Sequence, residues 1–457
     1  MSPEPVSHAL ASSVVLYRQV AVPADFLATR DGVAFGGDIR IGDLTGDGRC
    51  DFLVYRCNHG APSGPHMGGI KPCYLAAFDI DGEPLWRQGE GGDQPSRPMS
   101  VAVHDFDGDG AAEVACFWHR PQPGARTDWQ ELADVVVQIR DGRTGEVLRE
   151  AAPAAITERR RRDPAGANWV HQRLLIANFR GLDRPRDILV KLGDTYVALS
   201  DDLEVLWTYR SRWIEYGNCP AYIPAVGDLN GDGRDEVNGG YFALDPAGRP
   251  LWERELARNM DSVCIAPWDG GRMRAICSGG GHVLDVQGNA VMVLGEELVP
   301  HGQEVRAADF LSAYPGPEMV IRWNGHSEDL IVVSSATGDI VSRLQVNASP
   351  TNVGMEVVFW DGPDRPALLY NGGMLWDLGA GRGAALPGLP PANGRNVHRM
   401  AFYHCIVADV CGDEREELVL WDPTAAHVYV FTSGPVEESA YRGYGAGPRQ
   451  YNPRLMD

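Results

Sequence analysis

One short motif recurs along the chain and constrains its fold more than any other feature. It reads "VGDLNGDGRDEV" at 226–237, "IGDLTGDGRCDFLVYR" from Ile41, "VHDFDGDGAAEVACFW" from Val103 and "VADVCGDEREELVLWD" from Val407. Each copy has an apolar stretch, an Asp-Gly-rich turn, an acidic residue and a second apolar stretch. Short apolar stretches on both sides of a tight turn predict two antiparallel strands.

Weaker copies fill the gaps between these four, beginning at Leu175, Ile265, Ala307 and Val357. The first turn residues of the eight copies are Asp43, Asp105, Asn178, Asp228, Asp269, Asp309, Asp361 and Asp409. Successive first residues are therefore 62, 73, 50, 41, 40, 52 and 48 positions apart. A second turn follows in several copies, as "DIDGEPLW" at 79–86, "DDLEVLW" at 201–207 and "DPAGRPLW" at 245–252. One unit is thus four antiparallel strands.

Four-stranded units repeated at this spacing are typical of propeller blades. We predict an all-β chain that forms one eight-bladed β-propeller over residues 1–457, with seven blades as the alternative if the unit near Asp269 merges with a neighbour. The last unit has room for three strands, and the N-terminal stretch 13–20 reads as a spare strand. We expect that strand to complete the last blade, which closes the ring and removes an open sheet edge.

The Asp-Gly loops predict either calcium ligands or tight turns. Oxygens at positions 1, 3, 5, 7 and 9 of such a loop are able to surround one hard cation. The copy at Asp228 has Gly239 at position 12, where an EF-hand needs glutamate, and its flanks are strands. The candidate ligands are Asp43, Asp47 and Asp51; Asp105, Asp107, Asp109 and Glu113; and Asp228, Asn230, Asp232 and Glu236. Asp and Gly also build turns without a metal, so structural Ca²⁺ and a metal-free turn are both open, and either braces a blade.

Charge and the N-terminus limit the partners. A net charge of −21 argues against nucleic acid and anionic membranes. It still permits an anionic oligosaccharide, because a pocket can be locally basic. No signal-peptide pattern begins the sequence, no apolar run is long enough to span a membrane, and the nine cysteines form no CxxC pair. We therefore expect a monomeric cytoplasmic protein with reduced thiols.

Long inserts mark one mouth of the predicted propeller, where ligands bind. They are 56–73, 118–134 and 323–329 within blades, and 157–173, 210–224, 298–306 and 393–405 before first strands. They collect most of the twelve histidines, with several arginines and tyrosines: His59, His66, His119, His171, His301, His326, His398, His404, Arg173, Arg210, Arg212, Tyr216 and Tyr222.

Histidine, arginine and tyrosine around one cavity, with no acidic pair in the inserts, favour β-elimination on a uronic acid. A cation neutralises the carboxylate, a base removes the C5 proton, and an acid protonates the departing O4. Glycoside hydrolysis usually needs two carboxylates beside the bond. A glycosidase on the same scaffold and a non-catalytic propeller that binds sugar or protein are the alternatives.

The blade loops such as "DLNGDGRDE" and the ending "AYRGYGAGPRQYNPRLMD" at 440–457 resemble the β-propeller polysaccharide lyases. These include ulvan, rhamnogalacturonan and rhamnose–glucuronate lyases. The resemblance implies a cleft over the propeller mouth, a His/Tyr acid–base set, an Arg or His that neutralises the carboxylate, and structural calcium. It covers the whole chain in architecture, although the same loop also occurs in integrin-like and other sugar-binding propellers.

The resemblance also implies roles for single residues. His119 ends the second strand of blade two, where the family has a histidine, and Arg173 is similar to the arginine that faces the uronate. Tyr222 is then the acid, with Tyr216 in reserve. The predicted catalytic set is His104, His119, His171, Arg173 and Tyr222. The predicted substrate-binding set is His66, Arg212, Tyr216, His301 and His404.

Overall fold

The computed structural model describes residues 14–58, 69–95, 101–121, 132–158, 173–213, 221, 223–346, 354–391, 403–434, 436 and 443–445. The strands in these ranges form eight four-stranded antiparallel sheets and one two-stranded hairpin. Helix in the same ranges amounts to Ala154–Thr157 and three 3₁₀ turns. The predicted all-β, eight-bladed propeller is confirmed, and the seven-bladed alternative is excluded.

The first four blades follow one another in sequence, and each is numbered from its innermost strand outward. Blade 1 contains β4 (Asp38–Gly42), β5 (Asp51–Asn58), β6 (Lys71–Asp79) and β7 (Pro84–Gly89). Blade 2 contains β8 (Val101–His104), β9 (Glu113–His119), β10 (Val135–Arg140) and β11 (Val147–Ala151). Blade 3 contains β12 (Arg173–Ala177), β13 (Asp187–Leu192), β14 (Thr195–Leu199) and β15 (Val205–Arg210). Blade 4 contains β16 (Ala225–Gly227), β17 (Glu236–Asn238), β18 (Phe242–Leu244) and β19 (Pro250–Glu253).

The remaining blades complete the ring. Blade 5 contains β20 (Val263–Pro267), β21 (Met273–Cys277), β22 (His282–Leu284) and β23 (Ala290–Val293). Blade 6 contains β24 (Glu304–Ala308), β25 (Glu318–Arg322), β26 (Asp329–Ser334) and β27 (Ile340–Gln345). Blade 7 contains β28 (Glu356–Val358), β29 (Leu368–Asn371), β30 (Met374–Asp377) and β31 (Arg382–Ala385). Blade 8 contains β32 (His404–Ala408), β33 (Glu417–Trp421), β34 (His427–Thr432) and β1 (Val15–Ala21). A hairpin of β2 (Ala28–Arg30) and β3 (Val33–Phe35) joins β1 to blade 1.

The N-terminal strand closes the ring as predicted. β1 pairs antiparallel with β34, from Val15 opposite Thr432 to Ala21 opposite His427. A single blade thus contains strands from both ends of the described chain. Opening the ring requires breaking this strand pair, so the pairing locks the first and last blades together.

The hydrophobic core is divided among the seams between neighbouring blades. The seam between blades 8 and 1 buries Phe52, Phe78 and Trp421, and the seam between blades 2 and 3 buries Phe117 and Val190. This distribution follows from the sheets, because each inner strand is apolar on both faces and packs against the blade on either side. Stability therefore depends on every seam, including the closing one.

Antiparallel connections give the propeller two different faces. The turns between the first and second strands and between the third and fourth strands lie at one end of each blade, which we call the loop face. The turns between second and third strands, and the joins between blades, lie at the other end, which we call the insert face. The Asp-Gly loops therefore lie on the loop face, and the described strand ends that border the long inserts lie on the insert face.

Neighbouring Asp-Gly loops are linked by backbone hydrogen bonds on the loop face. The residue before the second strand donates its N–H to the carbonyl of the first turn residue of the preceding blade. The donor–acceptor pairs are Ala112 to Asp43 at 2.7 Å, Asp235 to Asn178 at 3.1 Å, Ala367 to Asp309 at 2.7 Å and Glu416 to Phe359 at 3.1 Å. Phe359, rather than the predicted Asp361, thus begins the loop of blade 7.

The C-terminal segment 443–445 makes the equivalent link at the closing seam. Gly445 donates to the carbonyl of Asp409 in blade 8 at 3.3 Å, and Tyr444 donates to the carbonyl of Gly48 in blade 1 at 2.6 Å. The Tyr444 ring packs against the core of this seam. The segment therefore lies between the first and last loops and holds both.

The structure also bears on the cysteines and on membrane-spanning helices. The cysteines in the described ranges are free thiols, and all but Cys264 are buried. None of the described helices has the length and apolar character that crossing a membrane requires.

Candidate functional site

Three aspartate–histidine pairs lie on the insert face. Their histidines are His119, His301 and His404, and their carboxylates belong to Asp134, Asp261 and Asp38 respectively. Each residue stands at a strand end or in a join on this face. A carboxylate that accepts a histidine N–H fixes the ring orientation and stabilises the imidazolium, which is the arrangement of many acid–base sites.

The His119 pair is part of a buried chain of three charged groups. Asp134 accepts the Lys71 ammonium at 2.6 Å and His119 Nε2 at 3.0 Å. The side chains of Lys71 and Asp134 are fully buried, and that of His119 is 5% exposed. Lys71 begins β6 in blade 1, whereas His119 and Asp134 border the insert of blade 2. The chain thus joins the bases of two neighbouring inserts.

The His404 pair belongs to a hydrogen-bond network centred on Asp38 at the closing seam. The Asp38 carboxylate accepts His404 Nδ1 at 2.9 Å, Trp421 Nε1 at 2.8 Å, the Tyr55 hydroxyl at 2.9 Å and Arg40 at 3.3 Å. His404 and Trp421 come from blade 8, and the other donors come from blade 1. Burial opposes ionisation of Asp38, but the charges and donors of His404 and Arg40 outweigh it and lower the pKa of this carboxyl.

The His301 pair is the most accessible of the three. His301 Nε2 lies 2.9 Å from the Asp261 carboxylate, and the side chains are 33% and 9% exposed. The backbone of His301 is held by the insert of blade 6, because its carbonyl accepts the Gly325 N–H at 2.7 Å and its N–H donates to Trp323 at 3.3 Å. The carboxylate and the insert of blade 6 therefore hold His301 in place, and one third of its side chain reaches solvent.

Several basic residues lie at the insert-face end of blade 3. Arg173 and Lys191 are register partners on β12 and β13, and Arg210 ends β15. Lys191 is fully buried, whereas Arg210 is 54% exposed and pairs with Asp194 at 2.8 Å. Arg212 is 64% exposed, and its guanidinium lies 4.7 Å from the centre of the Trp213 ring. Arg210 and Arg212 thus expose guanidinium groups on this face, each beside an acidic partner, Asp194 and Glu253 respectively.

His104 does not lie with the other predicted catalytic residues. It ends β8 opposite Glu113, whereas His119 ends β9 opposite Val135, six residues along the strand. Six strand residues span about 20 Å, so His104 lies at the loop face of the propeller and His119 at the insert face. His104 Nε2 donates to the Pro185 carbonyl at 2.6 Å, and burial lowers the pKa of this imidazole. The expectation of one site containing both is wrong, because the strand separates them.

Several predicted residues lie outside the described ranges. These are His66, His171, Tyr216 and Tyr222, and Arg173 is described in its backbone alone. Their assignments as catalytic or binding residues stay predictions. Of the other predicted binding residues, Arg212, His301 and His404 all stand on the insert face, at different blades.

The partners of the histidines are what the sequence reasoning missed. Asp38, Lys71, Asp134 and Asp261 were not singled out. A signal was present for two of them. Asp38 and Lys71 each begin an apolar inner strand, "DIRIG" and "KPCYLAAF". A charged residue at the start of a buried strand predicts a buried partner from another part of the chain.

The Asp-Gly loops differ in how well they would fit a cation. In the loop from Asp105, carboxylate oxygens of Asp105, Asp107 and Asp109 lie within 4.8 Å of one another. Arg143 contacts Asp109 at 2.8 Å and Arg184 approaches Asp105 at 3.9 Å. Asp105, Asp107 and Asp109 also accept backbone N–H groups of their own loop, as the carboxylates of the other loops do. A cation among the three carboxylates would further offset their mutual repulsion. This loop fits a cation.

The other two predicted loops are satisfied by their own hydrogen bonds. The Asn230 amide nitrogen donates to Glu236 at 2.8 Å and to Asp232 at 3.3 Å, so a donor rather than an oxygen faces the loop. In the loop from Asp43, Asp51 accepts the Thr45 hydroxyl at 3.2 Å and two backbone N–H groups. Asp47 accepts the Arg49 N–H at 2.8 Å. These loops are stable turns as they stand.

Acidic residues that begin second strands brace the loops. Glu113 accepts the Phe106 N–H at 2.8 Å and Glu236 accepts the Leu229 N–H at 2.8 Å. Burial raises the pKa of Asp51, Glu113, Glu236 and Glu417, each to about 7. A buried acidic residue with a raised pKa therefore recurs at the start of the second strand in four blades.

Comparison with known proteins places this architecture among the lyases. A model of the rhamnogalacturonan lyase family 11 C-terminal domain matches residues 17–120. The rhamnogalacturonan endolyase YesW of Bacillus subtilis (strain 168) is 25% identical over 88% of this chain and 68% of its own length. The exolyase YesX of the same organism is 25% identical over 53% of this chain and 44% of its own length.

This chain is similar to rhamnogalacturonan lyases in sequence and in fold. The crystal structure of YesW superposes on 93% of this chain with a TM-score of 0.64 at 22% identity. The superposition covers 76% of the YesW chain. A Bacillus licheniformis rhamnogalacturonan lyase matches with the same values. The Vibrio cholerae biofilm matrix protein Bap1 matches 94% of the chain with a TM-score of 0.56 at 14% identity, which shows that the fold extends beyond the lyases. The predicted resemblance is confirmed, and the curated relatives support a carbon–oxygen lyase.

Proposed function

We propose that this chain cleaves a rhamnogalacturonan-type glycan beside a uronic acid by β-elimination. The observation that carries the proposal is the similarity to two curated rhamnogalacturonan lyases, one of which aligns with 88% of the chain. The insert face supports it from the chemistry, because imidazoles held by carboxylates and exposed guanidinium groups lie there.

The reaction assigns a task to each kind of residue on the insert face. The arginines at the end of blade 3, with Arg212 at its rim, would bind the uronate carboxylate and so make the C5 proton more acidic. An imidazole on this face would take that proton, and a second donor would protonate the departing O4. The buried chain of Lys71, Asp134 and His119 would fix the inserts that border the substrate.

A metal is the second part of this proposal. We propose that Asp105, Asp107 and Asp109 hold one Ca²⁺, with Glu113 available as a further ligand, because the three carboxylates converge. The ion would neutralise the loop and brace blade 2. It would lie on the loop face, so no step of the elimination passes through it.

One experiment separates the lyase from its alternatives. The protein is incubated separately with rhamnogalacturonan, ulvan and rhamnose–glucuronate oligosaccharides, and the ultraviolet absorbance of unsaturated uronate is followed. We expect absorbance to grow with rhamnogalacturonan. A saturated new reducing end would indicate a glycosidase. Binding without any product would indicate a non-catalytic propeller, which the nearly complete burial of His119 and His404 favours as the second candidate.

A further inference from the structure

A cavity of about 290 Å³ lies at the outer flank of blade 2, where β10 and β11 reach the insert face. Its lining comes from residue 120 and residues 133–136, at the base of the blade 2 insert, and from residues 150–152 at the end of β11. This volume is at the lower end of ligand-binding cavities, so it suits one sugar ring. Three strand spacings separate β8 from β11, which places the cavity about 14 Å outward from the innermost strand of the blade.

The lining of the blade 2 cavity combines one ion pair with small apolar side chains. Arg120 and Glu150 bind each other, yet their side chains remain 55% and 25% exposed. The apolar lining residues are Ala133, Val135, Val136, Ala151 and Ala152. A sugar ring that carries both hydroxyl groups and a methyl group matches a lining of this mixed kind.

Glu150 is held in place by a chain of buried hydrogen bonds. Its carboxylate accepts Gln138 Nε2 at 2.6 Å, and the Gln138 carbonyl oxygen accepts Arg140 Nε at 2.9 Å. Gln138 and Arg140 are 2% and 4% exposed, and the Arg140 guanidinium lies 4.4 Å from the centre of the Trp118 ring. An exposed ion pair alone is weakly ordered. The buried chain therefore orients Glu150 before a ligand arrives, which lowers the entropic cost of binding.

The charge of the ion pair selects the kind of sugar. Adjacent sugar hydroxyls both donate and accept hydrogen bonds, so a guanidinium beside a carboxylate is able to bind them as acceptor and donor at once. The charges of Arg120 and Glu150 offset each other, and a uronate carboxylate in this cavity would meet the Glu150 carboxylate. The cavity therefore favours a neutral sugar over a uronic acid.

We propose, on the basis of the glycan class proposed above, that the blade 2 cavity binds a neutral 6-deoxy sugar unit, the rhamnose of a rhamnogalacturonan. Arg120 and Glu150 bind its hydroxyl groups, and the apolar lining, including Ala151 and Ala152, receives its methyl group. The site takes no part in bond cleavage. It retains the glycan on the insert face and recognises its neutral sugar.

The test is calorimetric titration of the protein with methyl α-L-rhamnoside. Arg120→Ala removes the guanidinium, and Ala152→Trp fills the cavity while keeping the ion pair. Arg149→Ala is the matched control, because Arg149 also lies on blade 2 and pairs with an acid, Asp202 at 3.2 Å, but does not line the cavity. We expect both cavity variants to bind the rhamnoside about tenfold more weakly or worse, and Arg149→Ala to bind like the wild type.

A second ligand tests the recognition of the methyl group. Methyl α-L-mannoside differs from the rhamnoside only by a hydroxyl group at C6. We expect it to bind about tenfold more weakly, because that hydroxyl would lie against apolar side chains without a partner. The assignment is overturned if the rhamnoside does not bind, if both cavity variants bind it like the wild type, or if the mannoside binds equally well.

The titration requires no turnover, so it is independent of the lyase assay. A protein that binds the rhamnoside in this cavity but forms no unsaturated product from any glycan would overturn the lyase function and keep the sugar site. A protein that forms the unsaturated product but does not bind the rhamnoside would overturn the sugar site alone.

Discussion

The two faces of the propeller are built by opposite means. On the loop face, one short motif recurs, its carboxylates accept backbone N–H groups a few residues away, and backbone hydrogen bonds join four pairs of neighbouring loops. On the insert face, the inserts differ from blade to blade, and charged side chains meet across seams from distant parts of the chain, as Asp38 meets His404. Repetition braces the ring, whereas irregularity creates groups that are able to bind and react.

The largest expected effect is on stability, from the insert face. Asp38→Ala would leave buried donors from His404, Trp421, Tyr55 and Arg40 without their shared acceptor. We expect the free energy of unfolding to fall by about 3–5 kcal/mol. Urea unfolding measures this, with Asp38→Asn as a milder control that keeps one acceptor oxygen. A loss below about 1 kcal/mol, the scale of an exposed ion pair, would show that this network does not hold the closing seam.

Calcium tests the loop face next. If Asp105, Asp107 and Asp109 bind the ion, adding Ca²⁺ at a hundred times its Kd should stabilise the protein by about 2.7 kcal/mol. Asp107→Asn should abolish most of that gain. The matched change Asp232→Asn should not, because the loop from Asp228 is already satisfied by Asn230. Thermal unfolding with and without Ca²⁺ decides, and equal gains in both variants would mean that this loop is not the site.

The C-terminal link at the loop face should have a smaller effect. Tyr444 is half-buried against the core of the closing seam. Replacing it by alanine should cost about 2 kcal/mol, below the range for a fully buried aromatic ring. Tyr444→Phe should cost little, since the backbone bond to Gly48 and the ring packing remain. Identical urea midpoints for Tyr444→Ala and the wild type would contradict a second closure of the ring.

A pH dependence of stability is also expected from Glu417. Burial raises the pKa of this carboxyl from its ordinary 4.5 to about 7. Between these values the folded state binds more protons than the unfolded state, so the contribution of Glu417 to stability is present below pH 4.5 and is lost as the pH rises towards 7. Glu417→Gln should remove up to about 1.4 kcal/mol per pH unit of this slope. If the free energy of unfolding depends on pH in the same way in the variant and the wild type, Glu417 is not the source of this slope.

The sequence predicted the repeated part of the molecule well. Tight Asp-Gly turns between apolar stretches depend on local chemistry, so the blades, their number and the closing strand follow from the pattern alone. The weak unit at Asp269 still forms a blade, because Gly270 and Gly271 at positive φ and backbone bonds shape its turn. Arg272 and Arg274 add contacts to the Asp269 carboxylate. The predicted first turn residue was wrong in blade 7, where the turn begins at Phe359 rather than at Asp361.

The candidate site was harder to predict, because its partners are far apart in sequence. Asp38 and His404 are 366 residues apart, and Lys71 and Asp134 are 63 apart. Residue types in the inserts predicted which face carries the chemistry, but not which carboxylate holds which imidazole. His104 shows the limit of the method, because it was predicted as a catalytic candidate together with His119, whereas β9 separates the two residues onto different faces.

The most direct test of this account compares one variant from each face in the same lyase assay. Arg212→Ala alters the insert face, and Glu417→Gln alters the loop face. Both are assayed on rhamnogalacturonan well below their melting temperatures, with unsaturated uronate as the product measured. The account predicts that Arg212→Ala loses about tenfold or more in kcat/KM, because the uronate carboxylate loses a guanidinium partner, whereas Glu417→Gln retains the wild-type value. Equal losses in both variants, or full activity of Arg212→Ala, would contradict the division of roles between the two faces.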